Sequence, residues 1–146
     1  MKIELLTNYS KETANQIRQL LIQLSRSGKD KGEIPESWFN DIIASPWHDL
    51  LIAEEDGKIL GIASLSVIMG PGIKKNAYLE DFVTDSEARG KGIGTALWNA
   101  MLEWAKEKGC ARLEFTCGNG REVAQHFYKS HGAEIYDTNF FRRELE

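Results

Sequence analysis

The spacing of hydrophobic residues along the chain predicts helices and strands in an irregular alternation. Ile17, Leu20, Leu21 and Leu24 recur at intervals typical of one helix face, and Ser10 is a suitable N-cap for that helix. On the same basis we predict a strand at 2–7, helices at 10–26 and 36–44, strands at 50–54, 58–69 and 78–84, a helix at 95–108, a strand at 111–117, a helix at 122–130 and short closing strands at 133–136 and 140–145. This order indicates a mixed α/β (α+β) fold and a single domain over residues 1–146.

Two local sequence features support these predicted elements. Asp56-Gly57 joins two apolar runs, which is typical of a β-hairpin turn. In the segment 111–117, Leu113 and Phe115 alternate with polar residues, so one face of that strand is expected to be buried.

A glycine-rich segment separates the predicted strand 78–84 from the helix 95–108. It consists of Arg89, Gly90, Lys91, Gly92, Ile93, Gly94 and Thr95. A helix N-terminus offers unpaired backbone N–H groups and the positive end of the helix dipole, and glycines let an anion come close to them. Arg89 and Lys91 add positive charge. The segment predicts a site for a phosphate chain, although such patterns also occur in connections that bind no ligand.

Known phosphate-binding loops can be compared with this segment. A Walker A loop requires G-x-x-x-x-G-K-[ST], which does not occur in the chain, and this argues against a nucleotide-using transferase. The dinucleotide fingerprint G-x-G-x-x-G would need a glycine at Thr95. The pattern R-x-x-G-x-G does fit, and it resembles the pyrophosphate loop of the acetyl-CoA-dependent N-acetyltransferases of the GNAT superfamily.

The resemblance extends over most of the chain. The segment 78–84 is similar to the central strand of that family, and 124–132 is similar to its A-x-x-F-Y-x-x-x-G helix. The resemblance implies a GNAT fold, with a mixed and mostly antiparallel sheet of six to seven strands, a splayed central strand and flanking helices. It also implies transfer of an acetyl group from acetyl-CoA directly to a primary amine, in a protein that is often a homodimer.

The same resemblance assigns roles to individual residues. It places the acetyl and pantetheine groups of acetyl-CoA at Phe82, Val83 and Thr84, and the pyrophosphate at the loop from Arg89 to Thr95. It makes Tyr128 the acid. The leaving thiol has a pKa of about 8.5, so a nearby phenol with a pKa of about 10 can donate a proton as negative charge grows on the sulfur. The alternative role for Tyr128 is that of a packing aromatic.

A base is also needed, since an alkylammonium with a pKa of about 10.4 must lose a proton before it attacks. Glu80 is the candidate, acting directly or through water. Asp81 is expected on the opposite face of the strand because successive side chains alternate. Many family members have asparagine seven residues before the tyrosine, where this chain has Arg121; whether Arg121 or Asn119 contacts the cofactor is left open.

Composition limits the choice of partners. A net charge of −4 argues against nucleic-acid or anionic-membrane binding, and the amino terminus is not that of a signal peptide, so we expect a cytoplasmic protein. Cys110 and Cys117 match no zinc spacing and are expected to be reduced core residues, and the histidines are scattered, so no metal is expected.

The acceptor is expected to be a small cationic amine. The motifs resemble most closely the diamine and polyamine acetyltransferases of the family. The segments 25–47 and 70–76 are the expected walls of the acceptor site. The charged and aromatic residues expected at its entrance are Glu33, Glu36, Asp41 and Asp49 with Trp38 and Trp47. A protein amine, an aminoglycoside amine, and a non-catalytic acyl-CoA-binding sensor or interaction module are the alternatives.

Overall fold

The strands of the described residues form one mixed sheet of five. The computed structural model describes residues 1–72 and 74–146, which divide into the units Met1–Phe115 and Thr116–Glu146. The first unit contains β1 (Lys2–Leu5), α1 (Lys11–Leu24), α2 (Glu36–Ala44), β2 (His48–Glu55), β3 (Lys58–Gly70), β4 (Lys74–Thr84), α3 (Ile93–Glu107) and β5 (Leu113–Glu114). The second contains α4 (Glu122–Ser130).

The strands follow the order β1-β2-β3-β4-β5 across the sheet. The first four pair antiparallel, and β5 pairs parallel to β4. The β4–β5 ladder consists of Ala77 opposite Leu113 and Tyr78 opposite Glu114. Since β4 runs on to Thr84, its second half extends beyond this short ladder. The splay of the central strand stays a prediction.

The prediction of six to seven strands is wrong, because the residues that the structure describes form a sheet of five. In the part of the chain that the structure describes, the runs 133–136 and 140–145 form no strand, and β5 is shorter than the predicted 111–117. Ile135, Tyr136 and Phe140 are exposed. Hydrophobic alternation indicates which face of a segment is apolar, but a strand also needs a neighbouring backbone within hydrogen-bonding distance.

The predicted helix starts and the hairpin are largely confirmed. The side chain of Ser10 accepts a hydrogen bond from the Thr13 N–H at 3.1 Å, so it caps α1 as expected. Asp56 and Gly57 both have positive φ, 52° and 79°, in the turn between β2 and β3. Helix α3 begins at Ile93, earlier than the predicted Thr95.

Helices cover the sheet with apolar side chains. Residues of α1, α2, β2 and β3 form one buried cluster, which consists of Ala14, Ile17, Leu20, Phe39, Leu50, Ile52, Ile59 and Ile62. Gly61 marks the contact of α3 with β3: a Cβ built there would lie 2.8 Å from Leu97 Cδ1 and 3.2 Å from Ile93 Cγ2. The absence of a side chain at Gly61 lets the first turn of α3 approach the sheet closely.

Candidate active site

A β-bulge interrupts the pairing of β3 with β4. Ala63 pairs with Phe82 and Leu65 pairs with Leu79, so Ser64 alone stands opposite both Glu80 and Asp81. The Ser64 hydroxyl donates to Asp81 Oδ2 at 3.2 Å and accepts from the Asp81 N–H at 3.0 Å. A bulge of this kind bends the strand and redirects its side chains.

The bulge lies on the wall of a cavity of about 1020 Å³. Ser64, Glu80 and Asp81 all line it, together with apolar residues of α1 such as Ile17 and Leu21. The expectation that Asp81 faces away from Glu80 is therefore wrong. Regular alternation requires one residue opposite one residue, and the bulge places two opposite one.

Several charges on the cavity wall are already paired within the protein. Arg18 binds Asp30 through two nitrogens, with Nη2 at 2.7 Å from Oδ2, and this hydrogen bonding lowers the pKa of the Asp30 carboxyl. The Asp49 carboxylate accepts from Trp104 Nε1 at 2.8 Å. Glu80 is exposed to the cavity. Glu80 is thus available to a ligand in a way that Asp30 and Asp49 are not.

Only some of the residues expected to form the acceptor walls line this cavity. Residues between 25 and 42 line the cavity, including Glu33 and Trp38, and Asp49 also lines it. The described lining residues do not include Glu36, Asp41 or Trp47, all of which are exposed. The segment 70–76 does not contribute described residues to the lining, and its residue Ile73 lies outside the part that the structure describes.

The glycine loop follows β4 and leads into α3. Gly90 and Gly92 have φ of 83° and 76°, a conformation that residues with side chains rarely adopt. A Cβ at either position would meet no atom within 4 Å. Gly92 is the N-cap of α3 and makes no side-chain cap bond, and the first turn of α3 carries no acidic residue. The loop therefore offers an open, electropositive helix start.

The residues predicted to hold the cosubstrate lie at the end of β4, in the glycine loop and in the first turn of α3. Phe82, Val83 and Thr84 are half-buried at the end of β4, and Arg89 and Lys91 are exposed. Gly94 and Thr95 belong to the first turn of α3. Ile93 has its side chain buried in the core, 3% exposed, so only its backbone is suited to contact a ligand.

The turn between β4 and the loop is fixed by a carboxylate that the sequence reasoning missed. Asp85 is buried and accepts hydrogen bonds from the Glu87 N–H at 3.1 Å and from Gln23 Nε2 at 3.3 Å. Gln23 also accepts from the Ser86 N–H, and Lys58 Nζ lies 3.3 Å from Asp85 Oδ2. An aspartate before a short helical turn is a recognisable cap, so the sequence did carry a signal for Asp85.

Asp85 makes the stability of the fold depend on pH. The Glu87 N–H bond, followed by Gln23 and Lys58, lowers the pKa of this carboxyl against the opposing effect of burial. A lowered pKa in the folded state means that the carboxylate stabilises the fold above the unfolded value of about 3.9 and loses this effect as pH falls through the folded value.

We therefore expect Asp85→Asn to lower the free energy of unfolding by about 1 kcal/mol at pH 7, and the difference from wild type to disappear at low pH. Urea unfolding across a pH series measures both. Asp137→Asn, at an exposed position, is the matched control. A difference at position 85 that is the same at pH 7 and pH 3 would contradict this role.

Tyr128 belongs to the second unit, on α4. Its ring is half-buried and meets Phe127 edge-on, with ring centroids 5.8 Å apart. Burial raises the pKa of the phenol, and a nearby Cys117 adds to this while Arg121 opposes it. A raised pKa keeps the phenol protonated at neutral pH, as a proton donor requires. Arg121 and Asn119 are both exposed, and the choice between them stays open.

The remaining features concern metals, membranes and thiols. Among residues 1–72 and 74–146, no group of three or more His, Cys, Asp or Glu side chains is arranged to hold a metal ion. Within the same residues, no helix has the length and apolar character that a membrane crossing requires. Cys110 and Cys117 are free thiols, as expected, but both are half-buried instead of lying in the core.

The first unit therefore combines a carboxylate-lined cavity at a bulge of the sheet with a glycine loop at a helix start. The chain belongs to the acetyltransferase (GNAT) family, whose model matches residues 14–133. This confirms the family and the α+β fold that the motifs indicated. Members of this family are acetyltransferases that use acetyl-CoA.

Individual relatives differ in their acceptors. A thialysine N-epsilon-acetyltransferase of Bos taurus is 37% identical over 60 residues, covering 41% of this chain and 35% of that protein. An aminoglycoside N(6')-acetyltransferase type 1 of Serratia marcescens is 29% identical over 111 residues, covering 72% of this chain and 76% of that protein. A Bacillus subtilis (strain 168) protein assigned as a ribosomal protein bS18 alanine N-acetyltransferase is 25% identical over 99 residues, covering 68% of this chain and 62% of that protein.

The chain thus spans less than two thirds of the length of the Bos taurus and Bacillus subtilis relatives. A solved aminoglycoside acetyltransferase, meta-AAC0020 from an uncultured soil metagenomic sample, in complex with sisomicin, superposes with a TM-score of 0.83. The match covers 99% of this chain and 96% of that one at 22% identity. This structural similarity shows that the two chains share a fold.

Proposed function

We propose that the chain is an N-acetyltransferase that moves an acetyl group from acetyl-CoA directly to a primary amine, with a small cationic amine of the diamine or polyamine type as the first choice of acceptor. The observation that carries the proposal is the course of β4. Its bulge presents Glu80 and Asp81 to a cavity, and its end leads through the turn at Asp85 into the open glycine loop. One strand therefore connects an acceptor site with a phosphate site.

The residues of the loop fit the pyrophosphate of acetyl-CoA. The open space above Gly90 and Gly92 allows a phosphate to reach the backbone N–H groups of α3, and Arg89 and Lys91 supply charge. Acetyl-CoA supplies the acetyl thioester. We assign the acetyl and pantetheine portions to the backbone of Phe82 to Thr84, at the end of the same strand.

The protein's own part in the reaction is the movement of two protons. Glu80 accepts a proton from the acceptor ammonium, directly or through water, because it is exposed to the cavity and bears no ion pair there among the described residues. By the family resemblance, Tyr128 gives a proton to the departing thiolate and regains the second proton that the acceptor nitrogen loses as the amide forms. The raised pKa keeps the phenol protonated before the reaction.

The acceptor class rests on the cavity. Glu80, Asp81 and Glu33 line it, and Trp38, which is 64% exposed, offers an aromatic face to an alkyl chain or a cation. The cavity is also lined by the basic residues Arg26, Lys29 and Lys31. A cation is therefore attracted only to the part of the cavity near the carboxylates. A volume of about 1020 Å³ is at the upper end for small-molecule sites, so it favours an extended polyamine over a short diamine.

An aminoglycoside is the second candidate acceptor. The same large volume would accommodate a polycationic ring system, and the Serratia marcescens relative is named for such a substrate. A protein amine ranks behind both. A homodimer and a cytoplasmic location, expected from the family resemblance and from composition, stay predictions.

The decisive experiment measures thiol release from acetyl-CoA with spermidine, a short diamine, an aminoglycoside and a lysine peptide. Saturable turnover of spermidine supports the first choice, and turnover of the aminoglycoside alone supports the second. Activity on the peptide alone would reject the small-amine reading. Binding of acetyl-CoA without turnover of any amine would favour a non-catalytic acyl-CoA sensor.

Replacing Glu80 tests the base. We expect Glu80→Gln to lower turnover by at least about tenfold at neutral pH, with a smaller loss as pH rises, because below an amine pKa of about 10.4 each pH unit gives about tenfold more free amine. The measurement is a pH–rate profile of wild type and variant. Glu107→Gln is the control, because it makes the same change from carboxylate to carboxamide at an exposed position at the end of α3. Profiles of the same shape and height for Glu80→Gln and wild type would remove Glu80 from the mechanism.

A further inference from the structure

The Ser64 hydroxyl both donates a hydrogen bond to Asp81 and accepts one from it. Among the described residues, no other side chain of the cavity wall does this with a single partner. The hydroxyl accepts from the Asp81 N–H at 3.0 Å and donates to Asp81 Oδ2 at 3.2 Å. Both contacts are part-buried, and they join β3 to β4 at the bulge. We call this pair of hydrogen bonds the Ser64–Asp81 clasp.

The clasp satisfies a group that the bulge would otherwise leave without a partner. An extra residue in one strand removes its N–H from the regular ladder, and a part-buried N–H without a partner is costly. Ser64 supplies the missing acceptor for Asp81 and, at the same time, fixes the direction of the Asp81 side chain. A small side chain that both donates and accepts is needed, which serine or threonine provides and alanine does not.

The orientation of Glu80 depends on the same bulge. With the bulge in place, Glu80 and Asp81 both line the cavity. If β4 paired regularly with β3, successive side chains would alternate, and one of these two carboxylates would face the other side of the sheet. The bulge thus keeps the two carboxylates together on the cavity wall, and the Ser64–Asp81 clasp is the side-chain contact that spans it.

We infer that Ser64 is a positioning residue for amine acetylation, which holds the bulge of β4 so that Glu80 and Asp81 face the acceptor together. This inference rests on the proposed function of the cavity. Ser64 acts through Asp81 and Glu80 and is assigned no contact with acetyl-CoA. A change at Ser64 therefore affects the acceptor half of the reaction selectively.

The test compares three variants in steady-state kinetics with acetyl-CoA and the best amine of the panel. We expect Ser64→Ala to lower kcat by about 10- to 100-fold, the cost of a displaced catalytic group, with KM for acetyl-CoA unchanged. Ser64→Thr keeps the hydroxyl and should restore most of the rate. Ser10→Ala is the matched control, because it removes a hydroxyl that accepts from a backbone N–H at 3.1 Å, at the cap of α1.

The outcomes separate a positioning role from simple stabilisation. Wild-type kcat in Ser64→Ala, equal losses in Ser64→Ala and Ser10→Ala, or failure of threonine to restore activity would each overturn the inference. A crystal structure of Ser64→Ala without ligands tests it independently of activity. A retained bulge with both carboxylates on the cavity wall would overturn it. If the wild type acetylates no amine, the proposed function fails while this structural test still reports on Ser64.

Discussion

Gly92→Asp is expected to raise the dissociation constant for acetyl-CoA by about 100-fold or more, in a protein that still folds. An aspartate side chain would occupy the open space above the N-terminus of α3 and take the hydrogen bonds that a phosphate would receive. Charge-assisted hydrogen bonds contribute about 1.5–3 kcal/mol each, and about 1.4 kcal/mol corresponds to a factor of ten. The negative charge adds repulsion of the pyrophosphate at the same place.

The fold should survive this substitution. No protein atom lies within 4 Å of the new Cβ, so the cost is the backbone strain at a φ of 76°, a conformation that aspartate adopts more readily than most residues. Isothermal titration calorimetry measures the affinity, and thermal unfolding checks the fold.

Two controls separate the causes of a weaker affinity. Gly92→Asn has the same shape without the charge. Gly57→Asp places the same side chain at a φ of 79°, also in open space, in the β2–β3 turn. Wild-type affinity in a folded Gly92→Asp protein would mean that the loop does not bind the pyrophosphate.

Tyr128→Phe is expected to lower turnover by about 100-fold or more and to leave acetyl-CoA affinity nearly unchanged. The hydroxyl matters when the thiolate departs, and general acids typically contribute about 100- to 10,000-fold. Burial raises the pKa of the phenol, so it stays protonated throughout the neutral range, and wild-type activity should show no loss from tyrosine ionisation there. Single-turnover and steady-state rates together show whether chemistry is the affected step.

Tyr136→Phe is the matched control for this variant. It removes the same hydroxyl in the same unit from a ring that is 79% exposed, and it should leave turnover unchanged. If Tyr128→Phe keeps wild-type turnover when chemistry limits the rate, Tyr128 is only a packing residue beside Phe127.

The hairpin and the glycine loop could be predicted because they depend on local conformation. Asp56 and Gly57 adopt positive φ in a two-residue turn, and Gly90 and Gly92 do so before α3, as their residue types favour. The first turn of α1 followed in the same way from the cap at Ser10. In each case, neighbours in sequence supply the determining interactions.

The strand count and the bulge could not be predicted in this way. The runs 133–136 and 140–145 have an apolar pattern but do not pair with another strand in the described residues. Strand β5 comprises only Leu113–Glu114, which is shorter than the predicted 111–117. The side on which Asp81 lies depends on Ser64, which is distant in sequence. A serine inside an apolar strand gives no signal of its own that it faces a bulge.

By itself, the sequence determined the family, the order of the main elements and the loop at the start of α3, because helix periodicity, turn residues and glycine conformations are properties of short segments. Only the tertiary structure decided that Glu80 and Asp81 share one cavity and that Gln23 and Lys58 hold Asp85 at the entrance to the loop. These features arise from pairing between strands and from contacts of α1 with the turn after β4. Such contacts are fixed by the register and packing of segments far apart in the chain, which no local pattern specifies.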